Sequence, residues 1–253
     1  MQADPEREWS VVVGASGAIG RHIVERFLEL GLGVVAVGRR VEPLESVAGG
    51  RQDVIVCPAD IQADEGENDI RRAIPGTVRI AVNSAAAPMA GSILDVPPEA
   101  IREATDVKVN GTLRLVRAVE GHLTTDSRIV AIGGNLGYDP IPEAATAGVA
   151  NAALANAIRQ LSRALGAQGV TCHVVAPGPV WTERLQGMLA DAAASRGVTE
   201  DVILKEFRDR SPIGHLVTIE EVVWAVELLL APEARTLAGG TLLLDAGQRT
   251  AIP

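Results

Sequence analysis

The chain has 253 residues, a formal net charge of −9 and only 2% aromatic residues, with a sequence pI near 5.0. This length can bury a full core, and α/β folds routinely fill it as one domain. The acidic balance argues against a nucleic-acid or anionic-membrane surface, either of which wants a basic field, so the expected partner is a small-molecule substrate.

The opening decapeptide "MQADPEREWS" is polar and acidic, unlike the charged and apolar regions of a secretory signal. No run reaches the roughly 18 apolar residues of a membrane span. A cytoplasmic protein is expected. Its two cysteines, Cys57 and Cys172, lie in apolar, strand-like runs without metal or redox spacing, and are read as small core residues.

Short β-branched runs recur along the chain: "SVVVG" at 10–14, "GVVAVG" at 33–38, "DVIVCP" at 53–58 and "RIAVN" at 79–83. They continue with "RIVAIG" at 128–133, "TCHVVAP" at 171–177 and "TLLLD" at 241–245. Continuous rather than alternating apolar character suits parallel strands covered on both faces. Between them lie amphipathic stretches, including 19–30, 98–121, 143–167 and 219–230. The pattern predicts a single α/β domain, a Rossmann-like, doubly wound sheet of seven parallel strands with helices on both faces. A polar, helical-looking insertion at 182–212 breaks the rhythm and is expected to form a lid over a site at the carboxyl ends of the strands.

The first strand runs into "GASGAIG", with Gly14, Gly17 and Gly20 ahead of the helix "RHIVERFLEL". Tight turning and close approach of backbone N–H groups to a phosphate both favour residues without a bulky Cβ, and a helix N-terminus adds partial positive charge. The strand, loop and helix context makes this a nucleotide-binding signature. After the second strand come Gly38, Arg39 and Arg40, with no acid to take a ribose hydroxyl. A guanidinium fork suits a 2′-phosphate, so NADP(H) is expected over NAD(H).

The order of motifs resembles the short-chain dehydrogenase/reductase family over nearly the whole chain. Its TGxxxGxG motif appears as "VGASGAIG", with Val13 for the threonine and Ala18 for the middle glycine. "PADI" supplies Asp60 where the family holds the adenine ring. "NSAA" replaces the usual NNAG, keeping Asn83 and Ala85 but placing Ala86 where glycine is expected. "PGPVWT" at 177–182 is similar to the family's PGxxxT segment, whose threonine contacts the nicotinamide carboxamide. The resemblance implies a cofactor held by Gly14, Ser16, Ala18, Ile19, Gly20, Asp60, Ile61, Asn83, Ala85, Pro177, Gly178, Val180 and Thr182, together with Arg39 and Arg40.

It also implies a proton relay: a tyrosine, a lysine four residues on that lowers its pKa, a serine about thirteen residues earlier, and an asparagine that supports a water chain. An unperturbed tyrosine has a pKa of about 10 and needs such tuning to work near neutrality. Alignment of "RIVAIGGNLG" with the family's fifth strand puts Gly134 at the serine, Ala147 at the tyrosine and Asn151 at the lysine. Only Asn110, in "DVKVNGTL", matches its expected position, where it is also a helix-kinking residue. The chain has one tyrosine, Tyr138, followed four residues later by Pro142, so no YxxxK motif exists.

In the absence of the relay, Tyr138 is a candidate to face substrate, and Asn135, Asn151 and Asn110 are candidates for a cluster of amides. Amides orient a carbonyl or stabilise developing charge but do not exchange protons at neutral pH. His173 and His215 have no carboxylate partner evident by sequence and are read as core or surface residues. Asp139 and Glu143 are the acids nearest the altered site. Met89, Ile93, Trp181 and Met188 are pocket-lining candidates by family position. The family further implies a homodimer or homotetramer, built on the alanine-rich helix and the helix containing Asn110. Three readings stand: an atypical oxidoreductase acting on a small carbonyl-type metabolite, a non-redox isomerase, lyase or cyclase on the same scaffold, and a cofactor-binding pseudoenzyme.

Overall fold

The protein is described from a computed structural model over residues 7–87 and 91–250. Strands β1 (Trp9–Val13), β2 (Gly33–Gly38), β3 (Val54–Pro58), β4 (Val78–Asn83), β5 (Leu123–Ile132), β6 (Thr171–Pro177) and β7 (Thr241–Leu244) form one sheet in the order β3-β2-β1-β4-β5-β6-β7. Every neighbouring pair is parallel. The expected seven-stranded architecture is what the chain adopts.

Helices cover both faces, and the two-residue period of the strands divides the core between them. Val11 and Val13 of β1 face a cluster containing Leu115, Leu154 and Ile158. Val12 faces the other way, into a cluster with Ile23, Phe27, Val222 and Val226. The first layer is built by α3 (Asp64–Ala73), α5 (Gly111–Val119) and α6 (Ala145–Leu165), the second by α1 (Ala18–Glu29), α2 (Val41–Ala48) and α9 (Ile219–Leu228). None of the described helices is long and apolar enough to cross a membrane.

The 182–212 insertion folds as α7 (Glu183–Arg196) and α8 (Glu200–Asp209), which share a small core of Leu185, Leu189, Ala193 and Ile203 with Leu216. Thr182 caps α7, its hydroxyl accepting from the Leu185 N–H at 3.3 Å.

One element departs from expectation. The stretch 98–121 is not one helix but α4 (Pro98–Thr105), a five-residue π turn (Asp106–Asn110) and α5. The cause lies in β4 rather than at Asn110. The Asn83 amide donates to the Val107 carbonyl at 3.3 Å and to the Thr112 hydroxyl at 2.9 Å. A side chain inserted into the helical ladder is a recognised origin of a kink. Gly111 allows the close approach, since a Cβ there would stand 3.2 Å from Ile61 Cγ1.

Because the chain leaves β1 for β2 on one side and later returns to β4 on the other, the carboxyl end of β1 is the switch point of the sheet. Crevices form at such points because successive connections diverge to opposite faces.

Candidate active site

The crevice begins with the loop after β1. Gly14 has φ of +78° and its N–H donates to the Val37 carbonyl at 2.9 Å, tying the loop to β2. A Cβ at Gly20 would lie 2.1 Å from the Gly14 carbonyl oxygen, and one at Gly14 would lie 3.0 Å from the Ala85 nitrogen. Backbone therefore packs on backbone between loop and helix, with the Ser84 hydroxyl alongside, 2.9 Å from the same Gly20 Cβ position. Gly17 is the N-cap of α1 and supplies no side-chain cap. The first-turn N–H groups, those of Ala18 and Ile19, are left for an incoming acceptor, the arrangement that suits a phosphate.

Arg39 and Arg40 follow β2 and are exposed. Neither enters an ion pair among the described residues. Ser16 is close by, its Oγ 3.7 Å from the point a Cβ on Gly38 would occupy. Asp60 is exposed at the end of β3, where its carboxylate accepts from the Gln62 N–H at 3.0 Å. These groups have the chemistry and openness that a dinucleotide needs along this edge.

Two positions expected to touch the cofactor have side chains turned inward instead. Asn83 is 2% exposed, and its carbonyl oxygen accepts from the Ala85 N–H at 3.1 Å while its nitrogen serves Val107 and Thr112. With both ends engaged, it shapes the loop instead of presenting an amide to a ligand. The Ile61 side chain packs in the core against Gly111.

On the far side, the segment after β6 is anchored by the Gly178 N–H to the Leu244 carbonyl at 2.8 Å and by a bridge from Val180 to Val217. Pro177 closes β6, and the Asn135 Nδ2 lies 3.6 Å from the Cβ position of Gly178. The Thr182 hydroxyl donates to Val180 O at 3.3 Å. With the Leu185 N–H on one lone pair, the other lone pair is left to accept from a ligand amide.

Between these walls lies the head of α6. Asn151 is 8% exposed, and its Oδ1 has no partner among the described residues. Its Nδ2 stands 2.9 Å from the Cβ position of Gly134, and its Oδ1 stands 3.7 Å from that of Gly133. Ala147 is half-buried one turn earlier. Above them, Gly91 and Ile93 bond through their backbones to Ala145 and Pro142, at 3.2 and 2.8 Å.

Two expected site residues are elsewhere. Asn110 is exposed and donates to the Asp106 carboxylate at 2.8 Å on the helix surface. The Tyr138 ring packs against the core, and its hydroxyl is bonded to that of Thr241 at the start of β7. The helical period explains the first case, because Asp106 and Asn110 share a face that Gly111 and Thr112 do not.

Lys108 occupies the inward face instead, and sequence reasoning missed it. Its Nζ donates to the carbonyl of Ile132, the last residue of β5, at 2.7 Å. Burial, with the positive charge of Arg184 as a lesser contribution, pulls the ammonium pKa down to about 8. The signal was in the spacing: Ala104, Lys108 and Thr112 recur every four residues, and Ala104 and Thr112 are buried. Arg184, in the first turn of α7, donates to Ala87 O at 3.1 Å and so links the insertion to the loop after β4.

The remaining titratable candidates lie apart. His173 is 1% exposed in β6, where Nε2 meets the Thr171 hydroxyl at 2.8 Å and burial lowers its pKa to about 4. His215 does have a carboxylate neighbour, with Nε2 3.0 Å from both oxygens of Glu221. Asp139 accepts from the Thr250 N–H at 2.9 Å, and Glu143 is exposed. Ile93, Trp181 and Met188 are exposed, at 52%, 42% and 37%. Met89 lies outside the described residues.

A parallel doubly wound sheet with a glycine loop at its switch point is an architecture common among nucleotide-binding α/β proteins. The family described as enoyl-(acyl carrier protein) reductase matches residues 14–249. The chain belongs to the short-chain dehydrogenase/reductase family, whose members among its relatives are oxidoreductases. It is 27% identical over 252 residues to the short-chain reductase protein NovJ of Streptomyces niveus, covering 94% of this chain and 93% of the relative. It is 29% identical over 255 residues to 2,3-dihydroxy-2,3-dihydro-p-cumate dehydrogenase of Pseudomonas putida, covering 96% and 94%. The NADPH-bound structure of a short-chain oxidoreductase from Pseudomonas aeruginosa PAO1, described as containing an atypical catalytic centre, superposes with a TM-score of 0.86 at 22% identity, covering 97% of this chain and 100% of that one.

Proposed function

We propose that the protein is an NADP(H)-dependent oxidoreductase of the cytoplasm acting on a small carbonyl-type metabolite, without the family's tyrosine and lysine relay. The observation that carries this reading is the pair of exposed, unpaired arginines beside an uncapped glycine loop. Arg39 and Arg40 are positioned for a 2′-phosphate, and no acid at the end of β2 opposes one. The NADPH-bound relative from P. aeruginosa shares the fold and is consistent with that choice.

The residues present fit the dinucleotide. Gly14, Ser16, Ala18, Ile19 and Gly20 would cradle the diphosphate, Asp60 would border the adenine, and Gly178, Val180 and Thr182 would hold the nicotinamide end. The bound cofactor supplies or accepts a hydride. The protein's part is to orient the carbonyl, exclude water and manage one proton. Gly134, Ala147 and Asn151 stand where the family has its serine, tyrosine and lysine, and none of these three can supply that proton. The expected assembly is a homodimer or homotetramer, for which the partly exposed head of α6, with Val149 at 42%, is the candidate face.

Calorimetric titration with NADPH, NADP⁺ and NADH tests the reading. Tighter binding of NADPH than NADH is expected, and no binding of any nucleotide would overturn it. A second reading, non-redox chemistry on the same scaffold, draws on the unpartnered Asn151 Oδ1, a buried acceptor suited to orient a substrate hydroxyl. Deuterium delivered from labelled NADPH into product separates the two.

A further inference from the structure

We propose that Lys108 is the acid of this site, donating a proton from Nζ to the carbonyl oxygen of the substrate. The inference rests on the oxidoreductase reading above and adds the group that reading lacks.

Lys108 sits in a π turn, a distortion of the helical ladder found often at functional sites. Its ammonium has three N–H donors. One is spent on Ile132 O, and no other acceptor lies within hydrogen-bond reach among the described residues. Among the described residues no carboxylate pairs with it, and the charged group acting on it is the cation Arg184. Just beyond Ile132 come Gly133 and Gly134, which bring no side chain between the strand end and the crevice. A carbonyl oxygen lodged at that point would meet the two unspent N–H groups, with the Asn151 amide on its other side.

Elimination leads to the same residue. The Tyr138 hydroxyl is bonded to Thr241, and Asn135 and Asn151 do not exchange protons. His173 is in the core and His215 is paired with Glu221. Lys205, the only other lysine of the chain, is exposed on α8 and paired with Asp209 at 2.5 Å. Burial has also brought the Lys108 ammonium to about 8, near the range where an acid gives up and recovers its proton readily.

The step balances. As the carbonyl carbon gains a hydride, the electron pair of the C=O π bond passes to oxygen, which takes one proton from Nζ. Lys108 is left as a neutral amine and recovers a proton from water. One hydride and one proton are consumed for each alcohol formed.

A two-lysine chain makes the test direct. Protein carrying ¹³C-labelled lysine gives two side-chain resonances, assigned with Lys205→Arg and titrated without cofactor. The Lys108 signal is expected to titrate near pH 8, and a midpoint at the unperturbed lysine value of about 10.4 would overturn the proposal. Turnover is then measured by NADPH consumption with 9,10-phenanthrenequinone as the carbonyl probe, in wild type, Lys108→Met and Lys108→Arg. Lys108→Met is expected to bind NADPH normally, to lose about 10²- to 10⁴-fold in kcat and to lose the basic limb of the pH profile. Lys108→Arg, which keeps the charge with a far higher pKa, is expected to be nearly as slow. Lys108→Met with turnover within tenfold of wild type would overturn the role of Lys108 and leave the oxidoreductase reading standing. A wild type that binds no NADPH, or binds it and does not reduce the probe, would overturn that reading and the role of Lys108 with it.

Discussion

The amide nitrogen of Asn151 stands 2.9 Å from the point where a Cβ on Gly134 would sit. The end of β5 and the head of α6 are therefore fitted to one another: a side chain at 134 displaces the amide, and a longer side chain at 151 must leave the space it fills. Gly137 adds to the fit, since its own Cβ would lie 2.8 Å from the Asn151 carbonyl carbon. Substitutions in this region act in concert, because neighbours sharing one space do not add independently.

That coupling governs an attempt to rebuild the family's relay. Gly134→Ser alone is expected to cost stability, because the new Cβ meets the Asn151 amide. The triple variant Gly134→Ser, Ala147→Tyr, Asn151→Lys removes that amide and is expected to reduce carbonyls faster than wild type. Thermal midpoints of the single and triple variants, with NADPH consumption on a quinone, check both parts. A folded, NADPH-bound triple variant with no gain would count against the assignment of these three positions.

Replacement of the arginines after β2 separates phosphate reading from general charge. Arg39→Ala with Arg40→Ala is expected to weaken NADPH by about 10- to 100-fold, the value of one or two charge-assisted hydrogen bonds, and to leave NADH nearly unchanged. Calorimetry at two salt concentrations checks this. An equal loss for both nucleotides would mean that the pair acts only as a diffuse positive field.

Gly20→Ala tests the cradle itself. Its Cβ would be 2.1 Å from the Gly14 carbonyl, a backbone atom that must move. The expected outcome is loss of nucleotide binding with the sheet intact, at a stability cost of about 1–3 kcal/mol. Unfolding curves and NADPH titration on the same sample distinguish a misshapen loop from a failed fold.

Lys108 also carries a stability signature that needs no substrate. Burial disfavours its ammonium, so below about pH 8 both folded and unfolded chains are protonated and the fold bears the full penalty. Between about 8 and the unperturbed 10.4 the folded state releases its proton first, and the penalty fades as pH rises. Lys108→Met is therefore expected to be more stable than wild type at pH 7, by at most about 3 kcal/mol and less where water still reaches the side chain. The advantage should shrink by pH 10. Denaturant titrations at pH 7, 9 and 10 measure it, and a gap that widens with pH would mean that burial does not disfavour the ammonium.

Two substitutions should leave turnover alone. Asn110→Ala removes a surface contact with Asp106 and is expected to shift stability within about 0.5 kcal/mol. Tyr138→Phe removes the bond to Thr241 and should cost about 1 kcal/mol. A hundredfold fall in kcat for either would place that residue back in the chemistry.

How far the sequence could be read depended on the kind of signal. Strand positions and the glycine loop were legible because burial on both faces and the absence of Cβ atoms each leave a local mark. The roles of Asn83 and Asn110 were not, because an asparagine in a motif does not reveal which way its amide turns. Asn83 is spent on Val107, Thr112 and Ala85, and Asn110 on Asp106. Lys108 was overlooked because a charged side chain is ordinarily assigned to solvent, although the buried positions four residues to either side of it pointed inward. The partner of His215 lay six residues on in the capping box of α9, a pairing made by a loop and not by any sequence period.

An α-helix advances about 100° per residue, and a π turn admits roughly one residue more than the α-helical count, so the side chains of α5 are out of phase with those of α4. Deletion of Val109 would restore a single uninterrupted phase and swing everything before it by about a third of a revolution relative to α5. Lys108 would then turn away from Ile132 while α5 kept its seat on the sheet. One residue's worth of extra winding therefore sets whether a cation or an apolar side chain is presented to the crevice.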